Sequence, residues 1–406
     1  MKRRFVALLL FAACLLLPLR AALSETGQEG EQPEPEGTEA PDISIADGVN
    51  AWMGELELQE WEAFLDTLPE QVQTLWADVD LETLIGAWAQ NGSMDDGLST
   101  LLGALAALAA GEARTAGGLL LLLLGLSFLS GFVHAFTAGK EGGVQETAGF
   151  VCRCFALTAV LGTSLSSVAL ALSCMDALVQ FMQIALPVLM MLLTAVGGVA
   201  SVGVFQPAMT VLCGTVTGIM RAIVVPLSVA GGAIGLVGSL GGRASLGEMS
   251  GLMKRVAKWT IGATSTLYIG VTAVRGMTAA TYDGVTMRTA KYAASSLVPM
   301  VGGMVSGTMD TMLGCALLVK NAAGLAAILL TMSVVLMPVL RLVAQMFLLR
   351  LASALAEPIA GPRLPAMFGA AADMLSFLLA ATLAVTLMFL LTIGLMTGIG
   401  SVPVAG

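Results

Sequence analysis

Few residues in this chain could do chemistry, and most of them sit in apolar surroundings. There is one histidine, His134, so a Ser-His dyad or an H-E-x-x-H zinc site built elsewhere lacks its base or its ligand. A carboxylate pair for intramembrane proteolysis needs a Y-D and a G-x-G-D motif. Tyr282-Asp283 supplies the first, but Gly307-Thr-Met-Asp310 has Met where the second needs Gly. Cys152-x-Cys154 has the wrong spacing for a C-x-x-C redox or zinc motif, and the glycine-rich stretch from Gly231 to Gly242 does not match G-x-x-x-x-G-K-[ST]. These patterns argue against an enzyme and call for no cofactor or metal. What remains is a set of charges among apolar residues: Asp283, Arg288, Lys291, Asp310 and Lys320. An ionised group at the centre of a bilayer costs roughly 3 kcal/mol or more, so each is expected to be paired, to face water or to sit at an interface. In one reading they fix the register between helices; in the other they line a polar path.

The elements that must carry these residues follow from composition. The chain has 406 residues, 57% of them hydrophobic and only 12% charged, with a mean hydropathy of +0.88. That is too apolar for a soluble chain of this size and places it in a membrane. It excludes a soluble enzyme, a nucleic-acid binder with a basic face and a disulfide-stapled secreted module. The formal charge of −9 combines bodies of opposite sign. Of 28 acidic residues, 20 fall between Glu25 and Glu112, where there is no Lys or Arg, whereas residues 113–406 carry 15 basic and 8 acidic groups.

Four regions result. Residues 1–23 have a basic start (Lys2, Arg3, Arg4), an apolar run and small residues at Ala21 and Ala22, the order of a secretory signal peptide. Residues 24–48, rich in Glu, Pro, Gly and Thr, read as a disordered acidic linker. In residues 49–112, an acidic extracytoplasmic region, apolar residues return at helical spacing: Trp61, Phe64, Leu65 and Leu68; Val72, Leu75, Trp76 and Val79; Leu81, Leu84, Ile85 and Trp88. Pro69 reads as a first-turn residue of the second helix and Asp80 as the N-cap of the third. Four of the five tryptophans lie here, and packing, in a small core or on the membrane interface, is favoured over display to a partner.

Residues 113–406 form a polytopic α-helical domain. Spans are expected at Gly117 to Phe136, at Phe155 to Ser173 between Arg153 inside and Asp176 outside, and at Leu178 to Ala200. Residues 204–240 read as two short helices, a re-entrant hairpin or one long broken helix. The basic cluster Arg243, Lys254, Arg255 and Lys258 is expected to face the cytoplasm. Ile261 to Lys320 reads as amphipathic or broken helices, and apolar runs at Ala322 to Leu349 and Met374 to Gly398 close the domain around Pro358, Pro362 and Pro365. One internal echo, V-G-G-x-x-S at Val196 and again at Val301, would fit duplicated halves.

The second half also resembles a known family. The residues are Lys254-Arg-Val-Ala-Lys-Trp-Thr260, Asp283-Gly-Val-Thr-Met-Arg-Thr-Ala-Lys291, Val298-Pro-Met-Val-Gly-Gly303, Asp310-Thr-Met-Leu-Gly314 and Leu317-Leu-Val-Lys-Asn-Ala-Ala-Gly324. They are similar to the stage III sporulation protein AE family of endospore-forming Firmicutes, whose plan of signal peptide, exported segment and polytopic domain also agrees. The resemblance implies a membrane component of the mother-cell complex, a secretion-like or feeding channel joining mother cell and forespore. Its place would be the mother-cell membrane around the forespore. Implied partners are ring-forming membrane subunits and a cytoplasmic ATPase, beside membrane lipid and without nucleic acid. No catalytic residue carries over. The competing reading is an autonomous secondary transporter for a small solute, gated by broken helices at 204–240 and 276–320.

Overall fold

A computed structural model describes residues 45–91 except 55, 57, 78 and 79, then 111, 117–133, 135–136, 142–241, 244–297 and 302–398. The expected signal peptide and all of the linker up to residue 44 lie outside the described residues. Within them the backbone is helical, with no strand.

Four short helices come first: α1 (Ile45–Met53), α2 (Gln59–Asp66), α3 (Glu70–Trp76) and α4 (Leu81–Asn91). The helix α1 starts inside the stretch expected to be linker. Pro69 sits one residue ahead of α3, at the N-cap, with φ −57° and ψ 143°. Asp80 caps α4 as expected: its carboxylate accepts the Glu82 N–H at 3.1 Å, satisfying a donor with no partner inside the helix. Of the predicted apolar faces, Trp61, Phe64, Leu68, Val72, Trp76, Leu81 and Ile85 are buried, Leu65, Leu84 and Trp88 are half-buried, and the Leu75 side chain and Val79 lie outside the described residues.

That core is not confined to the acidic region. Trp61 meets Phe181 edge-on with ring centroids 5.6 Å apart, Phe64 lies 5.2 Å from the same ring, and the Trp76 indole N–H donates to Ser333 Oγ at 3.2 Å. The tryptophans therefore pack as expected, but into one hydrophobic core shared with the long helices.

Next comes α5 (Gly117–Val133), apolar and about 25 Å long; His134, within the span expected there, lies outside the described residues. It lies close against the tenth helix, since a Cβ on Gly131 would come within 2.6 Å of the Ile359 carbonyl oxygen. Close approach through glycine is how helices associate where no hydrophobic effect drives them.

The long helices are α6 (Gly142–Ala195), α7 (Val199–Ile219), α8 (Val225–Gly241), α9 (Ala244–Leu297), α10 (Gly302–Ala360) and α11 (Arg363–Gly398). Among the described residues, four stretches are long and apolar enough to cross a membrane: Thr147–Ala195, Ala208–Leu240, Thr311–Ala360 and Arg363–Gly398.

Several expected breaks are absent. The span at 155–173 and most of that at 178–200 lie in one 54-residue helix, α6, which passes through Asp176 without interruption and ends at Ala195, while residues 196–200 fall in the turn that follows and in α7. Nothing from Cys174 to Ala177 is a helix breaker, and Asp176 finds its counter-charge elsewhere. Residues 199–241 also form one continuous helical path, because α7 passes into α8 through a wide π turn at Met220–Val224. Pro226 explains the turn: with no N–H it cannot donate back along the ladder, and the helix widens just before it. Residues 244–297 and 302–360 are likewise helical over their whole lengths. Among the described residues, the breaks between long helices are glycine turns at 196–198 and 361–362, with Gly197 at φ +90° and Gly361 at φ +72°, where a side chain is strained. Of the two V-G-G-x-x-S segments, the first makes the turn before α7 while the second is helical from Gly302. The two glycines thus lie in a turn in the first segment and in a helix in the second.

Side-chain pairs fix the register. Arg350 with Asp373, and Ser353 Oγ with the Pro365 carbonyl at 2.8 Å, align α10 and α11 as an antiparallel hairpin about Gly361. Ser250 Oγ donates to the Gly231 carbonyl at 2.6 Å, aligning α8 with α9. Ser167 donates to Gln345, joining α6 to α10.

Candidate functional site

The polar groups that the fold brings together are mostly not those singled out by sequence. Asp283, Arg288 and Lys291 lie on the α9 backbone and Asp310 on that of α10, but their side chains fall outside the described residues, as does Arg243. Lys320 is in α10 and only 1% exposed. Lys254, Arg255 and Lys258 lie about three to four turns into α9, where Lys254 is half-buried and the other two are exposed.

One constellation centres on Asp373. Its carboxylate accepts Lys254 Nζ at 3.0 Å through one oxygen and Arg350 at 2.8 Å through the other. Three helices meet there: α9, α10 and α11. Asp373 immediately precedes the apolar run Met374 to Gly398, and Arg350 immediately follows the run Ala322 to Leu349. The cluster thus marks one end of the apolar layer of the α10–α11 hairpin. Ionic groups gather where hydrocarbon gives way to water and headgroups.

A second ion pair sits in the opposite setting. Asp176 of α6 bonds Arg221 of the π turn, each side chain 43% exposed. Apolar runs extend on both sides of both residues. Each is the sole charge of its neighbourhood and the two have opposite signs, so the signal was visible in the sequence. Only the antiparallel packing of α6 on α7 supplies the pairing.

Beyond this pair lies a cavity of about 140 Å³ lined by Met182, Gln183, Pro187, Thr210, Cys213 and Phe389. Pro187 lies inside α6 and denies the Gln183 carbonyl its usual helical donor, which adds an acceptor to the wall. Cys213 Sγ lies 3.8 Å from Tyr268 Oη. The Tyr268 hydroxyl also donates to the Met388 carbonyl at 2.9 Å and bonds Thr392. Tyr268 is fully buried, and its phenol ties α7, α9 and α11 together. Such a network holds buried polar groups satisfied. Neither it nor the cavity contains a nucleophile with a base, and no group of His, Cys, Asp or Glu able to hold a metal occurs among the described residues.

The profile of the stage III sporulation protein AE family matches residues 79–400. Among curated proteins, "Stage III sporulation protein AE" of Bacillus subtilis (strain 168) is 27% identical over 208 residues, covering 51% of this chain and 52% of the relative. The chain therefore matches about half the length of that relative. No solved structure matches. The family match takes in every helix from α4 to α11, and on that extent this all-helical chain, with its four apolar helices long enough to cross a membrane, belongs to the stage III sporulation protein AE family.

Proposed function

We propose that this chain is a membrane component of the mother-cell sporulation complex, a secretion-like or feeding channel connecting mother cell and forespore that late forespore development requires. The observation that carries the reading is the extent of the family match, residues 79–400. The helices support a role in assembly: four are apolar and long, and the acidic helices α1–α4 are anchored to α6 and α10 through Trp61, Phe64 and Trp76. In this reading Arg243, Lys254, Arg255 and Lys258 face the mother-cell cytoplasm and the acidic helices face the space between the two membranes. Ring-forming membrane subunits and a cytoplasmic ATPase are the partners, and the chain catalyses no reaction itself.

Deleting the gene is expected to arrest sporulation after engulfment with vegetative growth unchanged, and a normal spore yield would sink the reading. Affinity purification from sporulating cells is expected to recover the ring-forming subunits.

The transporter reading draws on helix breaks at 204–240 and 276–320. The backbone is helical over 199–241, with the π turn as its one irregularity, and again over 244–297 and 302–360. Among the described residues, the break available to that reading is thus the π turn.

A further inference from the structure

We propose that Arg255, Lys258 and Trp259 form a binding site for the headgroup of an anionic phospholipid on the outer face of α9. The argument begins with level. Lys254 is tied to Asp373, which also holds Arg350, and these residues stand at the end of the apolar runs of α10 and α11. At 1.5 Å of rise per residue, Arg255 to Trp259 lie within about 8 Å of that boundary. This is the headgroup zone.

The second step concerns direction. Ser250, Ala257, Thr264 and Tyr268 form the buried seam of α9, so the helix spends that face on its neighbours. Arg255, Lys258 and Trp259 stand three and four residues apart on the open side. Both cations are exposed, neither forms an ion pair among the described residues, and the Trp259 indole is 75% exposed. The nearest carboxylate along α9, Glu248, is about two turns away from Arg255.

Chemistry then selects the occupant. A guanidinium fork and an ammonium match a phosphodiester, and an exposed indole beside them is placed as tryptophans are at the polar edge of a bilayer. Toward the apolar layer the same stripe continues through Gly262 and Thr266, both exposed, with open space around Gly262. An acyl chain below the headgroup can lie along that strip. A protein carboxylate would satisfy the charges but would leave the indole and the glycine strip unused.

The test uses the full chain in nanodiscs that contain phosphatidylcholine and phosphatidylglycerol, with spin-labelled lipids reporting the immobilised fraction of each. Phosphatidylglycerol is expected to be retained several-fold over phosphatidylcholine. The double substitution Arg255→Gln with Lys258→Gln is expected to bring the two to parity, while Arg255→Lys with Lys258→Arg keeps the preference. In the unmutated protein, raising salt from about 0.1 to 1 M is expected to erode it, because an exposed site is screened. Parity in the unmutated protein, a preference that survives the glutamine pair, or one insensitive to salt overturns the proposal. Loss of preference in the charge-conserving pair does so as well, since charge would then not be the cause.

Discussion

Asp176 and Arg221 bond each other at mid-length in two apolar helices, joining α6 to the π turn of the helix that follows. Each would be an isolated charge without the other. Replacing one by leucine leaves its partner alone among apolar groups, which costs roughly 3 kcal/mol or more at the centre of a bilayer. Both side chains are half-exposed on the surface of the helices. We expect Asp176→Leu and Arg221→Leu each to lower thermal stability in detergent, and the double leucine variant to recover most of the loss. A double variant as unstable as the sum of the singles would show that the pair is not coupled.

Asp373 serves two cations, so its removal is expected to exceed the loss of either one. Asp373→Asn leaves Lys254 and Arg350 side by side with no carboxylate between them, whereas Lys254→Gln leaves the Arg350 pair intact. Melting of the purified variants should rank Asp373→Asn as the less stable. The same geometry bears on charge reversal at Arg288 or Lys291, for which Arg350 would be the obvious control. Reversal at Arg350 sets a carboxylate against Asp373, so Arg350 is not a neutral reference.

Trp61 tests whether the acidic helices and the long helices share one core. Its indole N–H has no acceptor among the described residues, and its ring contact with Phe181 supplies the packing. Trp61→Phe is therefore expected to be mild, whereas Trp61→Ala should cost about 3–5 kcal/mol through the cavity it leaves. Phe181→Ala should in turn loosen residues 45–91, read as faster proteolysis of that region. Unchanged proteolysis would argue that the region is held by other contacts.

Gly131 and Gly125 lie on the same helix, α5, and are expected to respond oppositely to alanine. A methyl on Gly131 meets the Ile359 backbone oxygen at 2.6 Å, and one on Gly125 meets nothing within 4 Å. Gly131→Ala must displace α5 from α10 and lower stability. Gly125→Ala should raise it by up to about 1 kcal/mol, the helix propensity difference. Equal effects in a melting experiment would mean that α5 does not depend on this contact.

Much of this fold could be read locally. The apolar period of residues 61–88 placed three helices because burial of one face every 3.6 residues is a property of the segment itself. Asp80 marked a helix start for the same kind of reason, since a cap bonds an amide two residues away. Asp176 shows where such reading stops. An isolated Asp between apolar runs is consistent with a loop at a membrane surface or with the middle of a helix that meets a cation. What decides is Arg221, 45 residues on.

By itself, then, the sequence determined the helical class, the membrane setting, the separation of an acidic region from a basic one, and resemblance to a sporulation family. All of these depend on composition, on short periods or on runs of adjacent residues. The tertiary structure decided that two expected spans join in one helix, that the acidic helices share the core of the long ones, and that Asp373 gathers Lys254 and Arg350. Those outcomes rest on contacts between residues as much as 257 positions apart, as Trp76 and Ser333 are. Whether a charge or an indole is satisfied depends on which helix packs beside it, and no local pattern carries that information.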